Sequence, residues 1–205
     1  MIQGETKSMS DIVAYFAEGF PGERITLGDF VTVLGDRSFG ILLLIFALPS
    51  ALPLSAVPGV STVFGIPMAA VAAQMMIGMK RPAMPGWLLS RSVARADLQR
   101  AVARVLPYLR RLERVLRPRW LPLTSALAER AIGGACLLLA LIVTLPIPFG
   151  NQPPSLAIAL FAVGIFERDG LFVIAGLIAG VVSLFLLFGV YFTALQALLL
   201  LLRQL

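Results

Sequence analysis

Histidine is absent from all 205 residues, and cysteine occurs once, as Cys136. Imidazole acid–base chemistry and ordinary zinc ligation are thereby excluded. A single thiol can neither close an intrachain disulfide nor build a cysteine cluster. Charge is scarce too, at 14% of residues, and acidic groups are the scarcer kind, 11 against 17 basic ones. No Ser–His pair, P-loop or glycine-rich dinucleotide fingerprint occurs. Acid–arginine pairs could in principle act on a phosphate ester, but no spacing specifies that reaction. No catalytic residue, metal ligand or cofactor is expected.

Apolar residues fill the space these absences leave. They make up 59% of the chain, with a mean hydropathy of +0.91, which reads as an integral membrane protein. The length suits one membrane domain over residues 1–205, without a separate soluble catalytic domain. Met1–Met9 reads as an irregular start, and Met1–Phe20 lacks the early apolar core of a cleavable signal peptide. Nine of the fifteen arginines lie between Arg91 and Arg119, which the positive-inside rule assigns to the cytoplasmic side. Nucleic acid is a poor partner for so hydrophobic a chain.

The most informative stretch is Glu129–Gly170. An acid–arginine dipeptide, read as an ion pair, opens an apolar run that is broken by TLPIPFGNQPPS. A second apolar run, LAIALFAVGIF, leads to ERDG. Each run forms about 20 Å of helix at 1.5 Å per residue, against a hydrocarbon core of about 30 Å. The expected structure is a broken-helix, re-entrant-type hairpin. Its irregular tip needs cover from protein or a watery cavity.

The design occurs twice. A shift of 93 places Glu129-Arg130-x-x-Gly133 on Asp36-Arg37-x-x-Gly40 and Leu145-Pro146 on Leu52-Pro53. Beyond the break a shift of 87 brings Pro154 onto Pro67 and Arg168 onto Arg81. Repeat 1 covers about residues 26–82 and repeat 2 about 120–203. Paired interrupted segments of this kind point to an inverted-repeat, transporter-type site between the halves.

Around the hairpins the reading is simpler. Ser10–Gly19 forms a short interfacial helix, and Thr26 with Asp29 caps a second one. Local pairing among Glu23, Asp29, Asp36, Arg24 and Arg37 is the plain account of those charges. Gln74, alone in an apolar segment, reads as a helix–helix hydrogen bond. Met84-Pro85-Gly86-Trp87 is an interfacial turn. Leu98, Val102, Val105, Leu109, Leu112 and Leu116 recur at helical spacing and predict an arginine-rich amphipathic helix over 91–117, kinked at Pro107. Leu171–Leu202 is an uncharged run and the best candidate for a full transmembrane helix. Its Gly176, Gly180, Ser183 and Gly189 offer close packing to another helix.

Arg37 and Arg130 are the sharpest candidates for binding. Each begins a half-helix beside an acid, Asp36 or Glu129, and an arginine fork can hold a phosphate or carboxylate with two hydrogen bonds. A plain interfacial acid–arginine pair is the competing account. The tips add Pro53 and Ser55 in the first hairpin, and Pro146, Pro148, Asn151 and Gln152 in the second. Prolines free carbonyls and the amides supply donors. Glu167, Arg168 and Asp169 form a secondary set, for which an ordinary charged turn is the simpler account.

The segments LPYLRRLERVLRPRW (Leu106–Trp120), LPIPFGNQPPS (Leu145–Ser155), GIFERDG (Gly164–Gly170) and GDRSFGILLLIFALPSALP (Gly35–Pro53) resemble the ExoD exopolysaccharide-synthesis family of bacteria. The resemblance spans nearly the whole chain. It implies a multi-pass inner-membrane protein linked to exopolysaccharide production, and names a process rather than a reaction. The paired hairpins are also similar, by architecture alone, to those of membrane families that move polyprenyl-phosphate carrier lipids. The expected protein is all-α. It has two broken-helix hairpins, a basic amphipathic helix and a long C-terminal span, and acts as a small transporter or lipid translocase. Its expected partners are membrane lipids, a polyprenyl phosphate or another anionic substrate, and a second copy in a homodimer. The alternative is a non-catalytic membrane partner that organises a polysaccharide-synthesis complex through its arginine-rich helix.

Overall fold

A computed structural model describes residues 9–51, 60–83, 85–113, 116–117, 119–145 and 150–204. The start Met1–Ser8 and most of both hairpin tips lie outside the described residues.

The N-terminal part is a small cap. Helix α1 (Met9–Ala14) runs into a π-helical turn, Tyr15–Gly19. Such a turn leaves carbonyls for other donors: Arg95 and Gln99 donate to the Ala17 carbonyl at 3.1 and 2.9 Å, and Arg95 also reaches that of Glu18. Strand β1 (Arg24–Thr26) pairs antiparallel with β2 (Ser92–Ala94), in register Ile25 to Val93. Thr26 then caps α2 (Leu27–Leu34) through the expected box: its Oγ1 accepts from Asp29 N–H at 3.1 Å, and Asp29 Oδ2 accepts from Thr26 N–H at 2.8 Å. Asp29 is thus spent on the cap, and Arg24 donates to Ser92 Oγ at 2.8 Å. For Asp29 and Arg24, capping and sheet contacts stand where charge pairing was expected.

The arginine-rich helix, α6, covers Arg95–Glu113, shorter than the predicted 91–117. Its N-terminal extension is lost because Leu27 N–H bonds the Arg91 carbonyl and Arg95 N–H the Glu23 carbonyl, extending the β pairing. At the other end Arg117 precedes Pro118, which disfavours helix, and its N–H is taken by Asp169. Rather than standing alone, α6 packs on α1 and the π turn, burying Val102 and Phe16. A short helix, α5 (Gly86–Leu89), precedes it.

Four helices form the centre: α3 (Ser38–Ala51), α4 (Val60–Met76), α7 (Ala126–Thr144) and α8 (Gln152–Phe166). Helices α3 and α8 are apolar on every side and are buried along most of their length, the expected place for such helices. Glycines set the close approaches. A Cβ at Gly40 would lie 3.0 Å from the Ala162 carbonyl, and one at Gly133 would lie 2.5 Å from the Met76 nitrogen. So α3 runs antiparallel to α8, and α7 antiparallel to α4. Both pairs, α3–α4 and α7–α8, start at the same end of the bundle, whereas an inverted repeat would start them at opposite ends.

Helix α7 has 19 residues, about 28 Å. It begins at Ser125, whose Oγ accepts from Ala128 N–H, a turn before the Glu129–Arg130 dipeptide. The half-length reading of this run is corrected accordingly. Helix α9 (Gly170–Gln204) is continuous for 35 residues. Ala126–Thr144 and Gly170–Thr193 are long and apolar enough to cross a membrane. Their outer faces expose Leu138, Leu141, Leu177, Ile178, Phe185 and Phe188. Gly176 and Gly180 admit other helices, as expected: Phe161 of α8 packs on the first and Leu139 of α7 on the second. Gln74 bonds no helix. Its amide holds Ala83 from both sides, with Nε2 to the carbonyl at 2.8 Å and Oε1 to the N–H at 2.5 Å.

Candidate functional site

Because both helix pairs open at the same end, the starts of α3 and α7 meet the ends of α4 and α8 there. Between them lies a cleft of ≈ 680 Å³. Arg37 precedes α3 in the 3₁₀ turn Gly35–Arg37, while Glu129 lies in the first turn of α7 and Arg130 follows it. Lys80 follows α4 and Arg168 follows α8. Among the described residues the lining thus carries four cationic side chains against one carboxylate, Glu129. Phe39, Met75, Met79, Ile165 and Phe166 supply an apolar wall.

Each cation is held differently. Arg37 is half-buried, with its guanidinium 5.8 Å from the centre of the Phe166 ring, a cation–π distance. Arg130 lies against Gly78, where a Cβ would come within 2.6 Å of Nη2 and 2.7 Å of Cζ. Gly78 also has φ 81°, which suits glycine. Arg168 has φ 55°, a left-handed turn that sends the chain from α8 into α9. Lys80, Arg130 and Arg168 make no ion pair among the described residues. Neighbouring positions on a helix point away from each other, so Glu129 and Arg130 do not close on one another as the dipeptide reading expected.

The ERDG cluster divides by role. Glu167 is half-buried, Arg168 is exposed at the cleft, and Asp169 is fully buried. Asp169 Oδ1 accepts from Leu171 N–H at 2.9 Å and so caps α9. Its Oδ2 accepts from Arg117 N–H at 3.0 Å and from Arg119 Nε at 3.3 Å. Gly170 N–H bonds the Arg119 carbonyl, and a Cβ on Gly170 would meet Trp120 at 2.8 Å. An ordinary charged turn does not describe this. Asp169 ties the segment after α6 to the α8–α9 corner beside Arg168.

The structure therefore brings Arg37, Arg130, Glu129 and Arg168 together, and it adds Lys80, Gly78 and the aromatic wall. Lys80 stands beside Arg81 at the end of the first hairpin, and the repeat alignment singled out Arg81 instead. The tip residues belong elsewhere. Asn151 and Gln152 stand at the start of α8, a helix length of about 22 Å from the cleft. Asn151 is buried and donates through Nδ2 to the Leu145 carbonyl at 2.9 Å, while Gln152 is half-buried. These two residues therefore do not line the cleft that the arginines share. Pro53, Ser55, Pro58, Pro146 and Pro148 lie outside the described residues, and of Asp36 only the backbone is described.

The class defined is a helical protein with membrane-length apolar helices and a cation-lined cleft among its four central helices. The chain belongs to the ExoD family, whose model, described as "Exopolysaccharide synthesis, ExoD", matches residues 9–189. The family is linked to exopolysaccharide synthesis. The chain is 35% identical over 168 residues to an uncharacterised protein of Synechocystis, covering 82% of this chain and 79% of that one. It is 33% identical over 175 residues to Protein ExoD of Rhizobium meliloti, covering 83% and 72%. No solved structure matches.

Proposed function

We propose that the chain is a small multi-pass transporter or lipid translocase of the bacterial inner membrane, binding an anionic substrate in the cleft between Arg37 and Arg130. The carrying observation is the convergence of Arg37, Lys80, Arg130 and Arg168 around an apolar wall. Such a lining suits an amphiphile with a phosphate or carboxylate head group. In an exopolysaccharide-linked chain, a polyprenyl-phosphate carrier is the substrate of choice. On this reading residues 1–205 form one membrane domain, and the two helix pairs are repeats. Helices α3 and α8, with 14 and 15 residues, would dip into the bilayer, being shorter than its core of about 30 Å. Gly40 on Ala162 and Gly133 on Met75 are the contacts such a repeat would equate, by the shifts of 93 and 87. A homodimer would complete the enclosure of a polar path. No catalytic step is assigned.

The test is native mass spectrometry of the purified protein with its co-purifying lipids, for the wild type and for Arg37→Ala and Arg130→Ala. A polyprenyl phosphate retained by the wild type and lost from both variants supports the proposal. Bulk phospholipid alone, equal in all three, overturns it.

A second reading, a non-catalytic partner of a synthesis complex, is favoured by the exposed Arg100, Arg104, Arg110 and Arg111 of α6. Neutralising these four would abolish exopolysaccharide production if that reading holds. Under the transporter reading, production would depend on Arg37 and Arg130 instead.

A further inference from the structure

At the end of the bundle away from the cleft, three buried oxygens have no hydrogen-bond partner among the described residues. They are Ser50 Oγ, Asn151 Oδ1 and Ser155 Oγ. Ser50 and Ser155 are 0% exposed and Asn151 is 1% exposed. Asn151 and Ser155 lie one turn apart on the same side of α8, joined by a bond from Ser155 N–H to the Asn151 carbonyl at 3.2 Å. Helix register brings Ser50 to their level. Gly40 of α3 faces Ala162 and Phe166 of antiparallel α8, so moving along α3 to Ser50 corresponds to moving back along α8 to Gln152–Leu156. Groups of this kind are rarely left unpaired in a folded chain, so each of the three calls for a polar partner.

The chemistry of the set selects the occupant. Asn151 uses Nδ2 on the Leu145 carbonyl, which leaves Oδ1 as a pure acceptor. Pro153 and Pro154 take two N–H groups out of the first turn of α8, so this helix start has little to offer an anion. The carbonyl ends of α3 and α7 lie at the same end of the bundle and present the negative poles of those helices. No carboxylate, imidazole or thiolate belongs to the set, which disfavours calcium, magnesium and zinc. Neutral amide, hydroxyl and carbonyl oxygens are what a monovalent alkali cation takes in a membrane protein. We infer that Ser50, Asn151 and Ser155 form part of a binding site for a monovalent alkali cation of sodium's class. The site is separate from the cationic cleft and does not rest on the anion reading of it.

The competing occupant is ordered water, which bridges buried polar groups in many proteins. Thermal unfolding of the purified full chain in detergent separates the two, in NaCl and in choline chloride at equal ionic strength. Ligand linkage predicts a melting temperature several degrees higher in NaCl. Asn151→Leu and Ser155→Ala should erase that difference, and Arg130→Ala should keep it. Equal melting in the two salts for the wild type overturns the inference, as does a Ser155→Ala variant that keeps the full NaCl effect. Retention of radioactive sodium by the unmodified protein reads the same point without a variant. Displacement by excess NaCl but not by choline chloride is expected, and absence of retained sodium overturns the site.

Discussion

The guanidinium of Arg130 occupies the space that a side chain at Gly78 would need. A Cβ there would stand 2.7 Å from Cζ. The glycine closes α4 with φ 81° and, by having no side chain, admits a cation from α7 into the cleft. Two segments far apart in the chain thus share one small volume. Gly78→Ala adds left-handed strain of about 1–2 kcal/mol and displaces Arg130. The melting temperature should fall by about 2–8 °C, given roughly 2–4 °C per kcal/mol at this size. Retention of the anionic lipid should fall with it. A stable Gly78→Ala variant with unchanged lipid retention would remove Arg130 from the site.

Charge and fork geometry can be separated at Arg130. Arg130→Lys keeps the cation but loses the planar pair of donors. Charge-assisted hydrogen bonds contribute about 1.5–3 kcal/mol, so Arg130→Ala should weaken retention by roughly 10- to 150-fold. The lysine variant should fall between that and the wild type. Competition with inorganic phosphate, read by native mass spectrometry, checks the order.

Asp169 carries the α8–α9 corner. It is fully buried, while its partner Arg119 has a 40% exposed side chain, so solvent already screens part of the pair. Asp169→Asn leaves one acceptor oxygen, for the N–H of either Leu171 or Arg117, and removes the charge, whereas Asp169→Ala orphans both. The expected losses are about 1 and about 3 kcal/mol. Chemical denaturation reads the difference, and equal losses would contradict the capping role.

Close approach is tighter at Gly133 than at Gly40, where the added Cβ would stand 2.5 and 3.0 Å from the facing backbone. Neither neighbour is a flexible side-chain tip. Gly133→Ala should therefore destabilise more than Gly40→Ala, by about 1–3 kcal/mol against about 1. Melting curves of the two variants under one condition decide it. The reverse order would mean that α4 yields more readily than α8.

Much was legible because it is local. The Thr26–Asp29 box needs only a four-residue spacing, and the long apolar helix after Asp169 needs only an uncharged run. The arginine-rich helix followed from an apolar stripe of helical period, but its ends did not. Arg91–Ala94 pairs with residues far away in sequence, and Arg117 gives its N–H to Asp169. Gln74 was misread because a lone amide in an apolar helix has no local signal naming its partner, here Ala83. Asp169 was the costliest miss, since a charged turn and a buried cap share the same four letters.

The sequence by itself determined the helical class, the family and the two interrupted apolar pairs, and it marked Arg37 and Arg130 as candidates. Those properties follow from composition, periodicity and short motifs. Tertiary structure alone decided that the arginines share one cleft with Lys80 and Arg168, while Asn151 and Gln152 stand a helix length away. Apolar runs record that a helix will be buried, not which neighbour buries it or from which end it starts. Those choices come from the backbone approaches at Gly40, Gly78 and Gly133, where residues remote in the chain compete for the same few ångströms.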